Sequence, residues 1–507
     1  MVNIKTKTFN EIEYIKIGDI HYLDNIYSIY IDVGTKTKSL IFQDDKLVEN
    51  KDILNKVALK VFSHKTHTRY NHKKEADGII EGLYDENTIT HDIDNVKFEE
   101  LSENVRNKLI EYCKRVFFKK FGKNILTEEE LLKRINDSLR GIIVAQNVDL
   151  DIVVAEDFAM RIEELETQEV DLEDDEISEY IIDIIDEISE DILDINDEND
   201  EDERYDEDEV VYSAGAYDMQ TKNIYLLLDE NKKFNPNILF HEFIHSITPN
   251  GAEKTIQIQG LDIEFEYGES FTEGIVSYIE NMDNAEEFFE PEVFYTYDEE
   301  RNIIGIINIL YDNIKKTEEP NFIESFIKSP GKTLSRFYKI IENDEMIKQK
   351  NISAKDAKYL SIKKGIRFVI NMDKLETQRE QEDLDGLEKN YGSLMDMLFE
   401  MYQRQIESIN IESTEELYNI LYQIEAVGYY DSEFDTETLY KTIIKNAKKN
   451  IEGLTIGNII KKLPKKVKDT PKTSENEEDD RYEYIMEQLE EIKAMEESKK
   501  GKEPTDD

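Results

Sequence analysis

The sequence has very little cysteine and no long hydrophobic run, and both shortages narrow what the protein can be. Cys113 is the only cysteine among 507 residues, which excludes an internal disulfide and makes a reducing cytoplasm the expected location. Cys113 lies on an apolar helical stripe, so we expect a buried structural thiol rather than a nucleophile. No apolar run reaches 18 residues and the N-terminus has no apolar signal core, so we do not expect a membrane protein.

Positive charge is also scarce. The chain has 63 Lys and Arg against 115 Asp and Glu, a formal net charge of −52. A charge of this sign argues against nucleic acid or an anionic membrane as the main partner. Tryptophan is absent, whereas Ile, Asn, Lys and Asp are abundant. This usage suggests an AT-rich genome, as in some bacteria and many large phages, and a phage origin would make the virion an alternative location.

Histidine is rare as well, with seven in the chain, yet His241 and His245 lie four residues apart. On a helix these positions share one face, so both imidazoles can reach one tetrahedral Zn²⁺. Glu242 directly follows the first histidine. It is placed to take a proton from a water molecule in the open position of the metal, which is the role of a catalytic general base.

The residues around this motif predict a packed helix. Asn235 and Pro236 form a helix start, and Pro249 ends the segment. One side of the helix is apolar, and the two histidines lie on the opposite side. The apolar positions are Leu239, Phe240, Phe243 and Ile247.

A catalytic zinc keeps three protein ligands, and residues 268–279 predict a second helix that carries acidic residues. HEFIH followed by FTEGIVSYI resembles the gluzincin branch of the zincin metallopeptidases, over about residues 148–350. By position, the resemblance implies that Glu273 is the third zinc ligand. Glu269, one turn earlier on the same face, is the alternative. No histidine follows His245, which excludes the metzincin arrangement with a third histidine.

The resemblance also implies what borders the cleft. Two apolar runs at 214–218 and 224–228, separated by a polar turn, predict a hairpin or bent strand. In zincins such a strand lies beside the cleft, where an extended peptide can add as a neighbouring strand.

The sequence departs from the family pattern at Ser277, where gluzincins often have a carboxylate that hydrogen-bonds a zinc histidine. The partner of the histidines is therefore left open. So is the oxyanion-stabilising residue, for which Tyr278, Tyr295 and Tyr297 are unranked candidates.

The predicted fold class is α+β, with a zincin-like metallopeptidase domain, an N-terminal mixed α/β module and a helical C-terminal region. The predicted units are 1–100 for the module, 101–350 for the metallopeptidase domain, 351–463 for the helical domain and 464–507 for a linker and a short docking helix. A strand is predicted over 148–154 within the metallopeptidase domain. His64, His67 and His72 cluster in a polar stretch, which we interpret as a solvated loop rather than a metal site.

Charge is distributed unevenly along the chain. Residues 163–209 hold 26 Asp and Glu and one base, which predicts a partly disordered acidic insertion within the metallopeptidase domain. Residues 440–468 hold nine Lys and one acid. This basic segment could bind the acidic insertion of the same molecule, a neighbouring copy or nucleic acid, and the acidity of the rest of the chain favours self-neutralisation.

A narrow apolar stripe on the last predicted helix should dock onto something, since so short a helix is marginal in water. A protein partner is one candidate. The stripe comprises Tyr482, Ile485, Leu489 and Ile492.

Taken together, these patterns predict a zinc-dependent peptidase that acts on a peptide or protein substrate. His241, His245 and Glu273 would bind Zn²⁺, and Glu242 would be the general base. The alternative is a structural or assembly protein, such as one of a phage particle, with a zincin-like domain. A DNA-mimicking inhibitor would rest on the acidic run alone.

Overall fold

The computed structural model of the chain describes residues 4–62, 97–146, 153, 215–228, 234–281, 297–464 and 475–500, apart from gaps at 24, 220, 250, 262–263, 317–318, 382, 429 and 431–433. Several predictions lie outside these residues. They concern the His64, His67 and His72 cluster, the acidic insertion 163–209, Tyr295, and the last lysines of the basic segment.

The described residues form eleven strands in two sheets. The strands are β1 Thr6–Phe9, β2 Ile12–Tyr22, β3 Asn25–Asp32, β4 Lys38–Gln43, β5 Lys46–Leu47, β6 Lys97–Glu100, β7 Gly141–Gln146, β8 Gly215–Asp218, β9 Asn223–Leu228, β10 Lys254–Ile258 and β11 Glu264–Tyr267.

The first sheet has the strand order β1-β2-β3-β4-β10-β11, and β5 pairs with β4. Its N-terminal strands are antiparallel hairpins, but β4 and β10 are parallel, with Lys38 opposite Gln257. This sheet therefore combines strands from the predicted N-terminal module with strands from the predicted metallopeptidase domain.

The second sheet has the order β6-β7-β9-β8. Strand β7 runs parallel to β9, and β8 and β9 form the predicted hairpin, with Gly215 opposite Leu226. The strand predicted over 148–154 is wrong at its one described residue, because Val153 is helical. The strand beside β9 is instead residues 141–146. Its continuous apolar run is typical of a strand with both faces buried.

Helices make up most of the described residues. They are α1 Lys51–Ala58, α2 Glu103–Phe121, α3 Glu128–Ser138, α4 Pro236–Ile247, α5 Glu269–Glu280, α6 Asp298–Asp312, α7 Phe322–Lys328, α8 Thr333–Lys348, α9 Ala354–Glu380, α10 Leu384–Ser408, α11 Thr414–Gly428, α12 Thr436–Asn450, α13 Ile456–Lys462 and α14 Glu475–Lys500. None of the described helices is long and apolar enough to cross a membrane. The mixed α+β class, with an N-terminal sheet and C-terminal helices, is confirmed.

One cluster of buried hydrophobic residues runs from Ile15 in β2 to Ile492 in α14. Cys113 is part of it and is buried, as predicted. Helix α14 packs against α11, α12 and α13, which bury Ile485 and Leu489 completely. The apolar stripe that suggested an external partner is thus covered by the chain's own helices. The sequence did not reveal this because the covering residues are distant in the chain.

Candidate metal centre

Helix α4 carries the two histidines, and its sequence accounts for both of its ends. The Asn235 side chain accepts a hydrogen bond from the backbone N–H of Asn237 at 2.9 Å, and Pro236 occupies the first helical position. At the other end, the Arg134 guanidinium on α3 donates to the carbonyl oxygen of Ile247 at 3.1 Å. A cation on the last carbonyls of a helix is favourable. Both ends of α4 are therefore held in place.

Helix α5 carries Glu273, and a buried carboxyl from α9 holds its N-terminus. Asp373 accepts hydrogen bonds from the backbone N–H of Gly268 at 2.8 Å and of Ser270 at 3.2 Å. Gly268 has a φ of 97°, and a Cβ there would lie 2.7 Å from the carbonyl oxygen of Ala252. Only glycine meets both conditions without strain. Asp373 and Gly268 thus set where α5 begins.

The glycine after Glu273 has a packing role. A Cβ on Gly274 would lie 2.9 Å from both the Cβ and the carbonyl oxygen of Glu300 on α6. Glu300 is fully buried, and Arg379 on α9 donates to it at 2.9 Å. The Glu-Gly step therefore lets α6 approach α5 directly behind the Glu273 side chain.

Three ligand atoms from α4 and α5 converge on one point. Glu273 Oε2 lies 3.1 Å from His241 Nε2 and 3.3 Å from His245 Nε2, and the two Nε2 atoms are 3.1 Å apart. A tetrahedral Zn²⁺ with bonds of about 2.0–2.2 Å holds its ligand atoms roughly 3.3–3.6 Å apart. The three distances are close to that spacing. Two imidazoles and one carboxylate also form a donor set that zinc accepts.

Within the described part of the chain, these three side chains are the one group of three or more His, Cys, Asp or Glu with ligand atoms close enough to hold an ion. Their side chains are 14%, 15% and 16% exposed for His241, His245 and Glu273. Glu269, the alternative ligand, is not in this group although it lies on the same helix.

The pKa values of the three converging side chains depend strongly on one another. Burial opposes ionisation of Glu273, but His245 and His241 outweigh it and hold the pKa of that carboxyl well below its usual range. Burial disfavours the charged imidazole of His241, yet hydrogen bonds to Glu273 and Glu280 raise its pKa well above the usual value. The pKa of His245 is raised for a similar reason, mainly by Glu273. The pocket thus favours a positive charge among these side chains, and a metal ion supplies one.

Glu242 lies beside the centre and against strand β8. It is 7% exposed, and a Cβ on Gly215 of β8 would lie 3.1 Å from its Oε1 atom. Burial raises the pKa of the Glu242 carboxyl above its ordinary value. A raised pKa brings a carboxylate closer to the range in which a general base works best at neutral pH.

Glu280 is a residue of the centre that the sequence analysis missed. Its Oε2 atom lies 3.2 Å from His241 Nδ1, which is the contact expected of a carboxylate that orients a ligating histidine. Lys120 donates to the Glu280 carbonyl oxygen at 2.9 Å, at the end of α5. The spacing in the sequence could have indicated this residue, because Glu280 follows Glu273 by seven residues and so lies two turns further along the same helical face. Glu280 thus supplies a carboxylate partner for His241, which the sequence analysis had left open.

Of the tyrosine candidates, Tyr297 is tied to the centre by charge. Burial raises its pKa well above the usual value, and the charge of Glu273 raises it further. Tyr297 immediately precedes α6, and the Arg379 guanidinium lies 5.8 Å from its ring centroid. Tyr278 lies on α5, beyond Glu273.

No protein-family model, curated protein or solved structure matches the chain. The function is therefore argued from the chain's own residues and their geometry.

Proposed function

We propose that the chain is a zinc-dependent peptidase of the gluzincin type, which hydrolyses peptide bonds in a peptide or protein substrate. The observation that carries the proposal is the convergence of His241, His245 and Glu273 within 3.3 Å of one another. A buried carboxylate, Glu242, lies on the same helix as the two histidines. The zinc would be held by the three converging side chains.

The elements around the centre support a zincin-like fold. Helix α4 contacts β8, β9 and α5, so the metal helix lies against the hairpin that precedes it and the helix that follows it. Among the described residues, strand β8 is the last strand in the order of its sheet. An extended peptide bound along β8 would pass in front of Glu242, because Gly215 places the backbone of β8 against that side chain.

Zn²⁺ bound at this centre would polarise the scissile carbonyl group and lower the pKa of a bound water molecule to about 7. Glu242 takes one proton from the attacking water and then donates it to the nitrogen of the leaving amine, so the carboxylate is regenerated in each turnover.

Two other residues have defined tasks. Glu280 accepts a hydrogen bond from the Nδ1–H group of His241, and the tautomer with this proton leaves the Nε2 lone pair directed at the centre. Tyr297, whose hydroxyl is electrostatically coupled to Glu273, would be the hydrogen-bond donor for the oxyanion that develops on the substrate.

Metal content and activity, measured together on the full chain, test the proposal. We expect about one zinc per chain in the wild type, the number that one three-ligand centre holds, and loss of that zinc in His245→Ala. Glu242→Gln keeps the size of the side chain but cannot accept a proton. We therefore expect it to retain zinc and to lose roughly 10²–10⁴-fold in turnover. Glu266→Gln makes the same exchange on strand β11 and is the control, with wild-type activity expected.

A metal-free wild type would remove the enzyme proposal. Equal turnover of the wild type and Glu242→Gln, on a substrate that the wild type cleaves, would remove the mechanism. Stoichiometric zinc without peptidase activity would favour the alternative, a structural or assembly protein with a zincin-like domain.

A further inference from the structure

A second site lies on the other side of α9, away from the metal centre. A cavity of about 290 Å³ opens between β2, β3 and α9, next to the residues that follow α1. Five cationic side chains and one acidic side chain line it; we call it the basic cavity. These residues are Lys16, Lys60, Lys363, Arg367, Lys374 and Asp19.

Local structure explains how the cations come together. Lys363, Arg367 and Lys374 are spaced four and seven residues apart, so they lie on one face of α9. The other face of α9 packs into the core. The β2–β3 pairing shifts register between Lys16 and Gly18, and such an irregularity re-aims the side chains beside it. A Cβ on Gly18 would meet no atom within 4 Å, so the strand side of the cavity is open.

The charges of the basic cavity are not balanced by the described residues. Its one acid, Asp19, already accepts from Lys16 at 2.6 Å and from the Ser28 hydroxyl at 2.7 Å. Among the described residues, Lys363 and Arg367 form no ion pair. Such a cluster is unusual in a chain with 115 acids and 63 bases.

The two remaining cations have only weak partners in that same part of the chain. Lys60 Nζ lies 5.6 Å from the centroid of the Tyr22 ring. Lys374 Nζ donates to the Asn371 side chain at 3.4 Å. Neither contact neutralises a positive charge.

The cations also repel one another. Burial lowers the pKa of Lys363 and of Lys374, and the charge of Arg367 lowers both further. Like charges in a partly desolvated cleft raise the local potential and attract counter-ions. A bound anion would remove this repulsion, since it would pair with several cations at once.

We propose that the basic cavity binds a small polyvalent anion of the phosphate class, such as an oligophosphate or a phosphate ester. Its volume is near the lower limit of ligand pockets, which suits a few phosphate groups and is too small for a packed helix. Arg367 supplies a planar fork that matches phosphate oxygens, and the lysines supply mobile point charges. The site is separate from the proposed zinc site and does not depend on it.

Calorimetric titration of the full chain with inorganic tripolyphosphate at low ionic strength tests this inference. We expect the wild type to bind one equivalent. Arg367 and Lys374 are exposed, so the double variant Arg367→Gln/Lys374→Gln should fold normally, which circular dichroism will check. It should bind at least roughly 10-fold more weakly, because charge-assisted hydrogen bonds are lost. Lys358→Gln removes one positive charge from an exposed position of α9 outside the cavity and should bind as the wild type does.

Two further arms sharpen the test. Gly18→Glu places a carboxylate at the cavity without disturbing α9 and should also weaken binding. A nucleoside triphosphate titrated in parallel distinguishes a phosphate ester from inorganic oligophosphate, and tighter binding of either one supports the site and identifies the source.

Three outcomes would overturn the inference. The wild type could fail to bind either anion. The double variant and Lys358→Gln could bind equally well, which would indicate non-specific attraction. Binding could emerge only after deletion of residues 197–208, which would make the chain's own acidic run the occupant.

Discussion

The metal centre and the basic cavity are two clusters of ionisable side chains that differ in chemistry and lie on opposite sides of α9. In the metal centre, two imidazoles and one carboxylate direct their lone pairs at one point, and Glu280 and Glu273 balance the charge of the histidines. In the basic cavity, five cations surround an open space, and only Lys16 has an acidic partner, Asp19, among the described residues. The first cluster is closed and packed, and the second is open and repulsive. A binding site can therefore be indicated either by ligand atoms that converge on one point or by a cluster of like charges without counter-charges.

The largest expected difference lies among the ligands of the metal centre. Glu273→Ala should weaken zinc binding by more than the roughly 10–100-fold that is typical of losing an outer partner of a ligand. Glu269→Ala should have little effect, because Glu269 is outside the converging group. Competition with a chelator of known zinc affinity measures both. A larger loss for Glu269→Ala would show that the packing of α5 has been misassigned.

The next largest effect is the loss of zinc affinity on substitution of Glu280, the carboxylate that contacts a ligand histidine. Glu280→Gln should lower zinc affinity by about 10–100-fold, since it weakens the hydrogen bond at His241 Nδ1. Ser277→Ala, one turn earlier on α5, is the matched control and should bind zinc as the wild type does. Similar affinities for all three proteins would argue that Glu280 does not orient the histidine.

The two sites also differ in how tightly their glycines are packed, so a methyl group added at each glycine should have a different effect on stability. Gly274→Ala should reduce the free energy of unfolding by roughly 1–3 kcal/mol, because the new methyl group would overlap the backbone of Glu300. The methyl group of Gly18→Ala would meet no atom within 4 Å, so this substitution should change the free energy of unfolding by no more than about 0.5 kcal/mol. Chemical denaturation compares the two. A Gly274→Ala protein as stable as the wild type would show that α5 and α6 can separate at no cost.

The smallest expected effect is that of salt. Raising the ionic strength from about 0.1 to about 1 M shortens the screening length from about 10 to about 3 Å. Anion binding to the basic cavity should then weaken several-fold, because three of its five cations are exposed to solvent. Zinc binding should change little, since direct coordination by buried atoms is poorly screened. Equal salt dependence at the two sites would contradict this difference.

Much of the metal centre could be predicted from the sequence because its elements are local. Asn235, Pro236 and the spacing of His241 and His245 depend on helix geometry alone, and the structure has the helix where they predict it. The second helix and the β8–β9 hairpin were predicted for the same reason. The strand prediction over 148–154 was wrong at Val153, its one described residue, because a short apolar run does not by itself distinguish a strand from a helix.

The sequence by itself determined the net charge, the helical spacing of His241, Glu242 and His245, and the presence of an acidic helix after them. These properties depend only on amino-acid composition and on the α-helical repeat of 3.6 residues per turn. A family resemblance implied Glu273 rather than Glu269 as the residue that meets the histidines, and the helical period alone does not choose between them; the tertiary structure brings Glu273 to them. Only the tertiary structure decided that Lys16 and Lys374 share a cavity and that β4 pairs with β10. Such contacts join residues far apart in the chain, and their register is set by how buried faces pack, for which no local pattern exists.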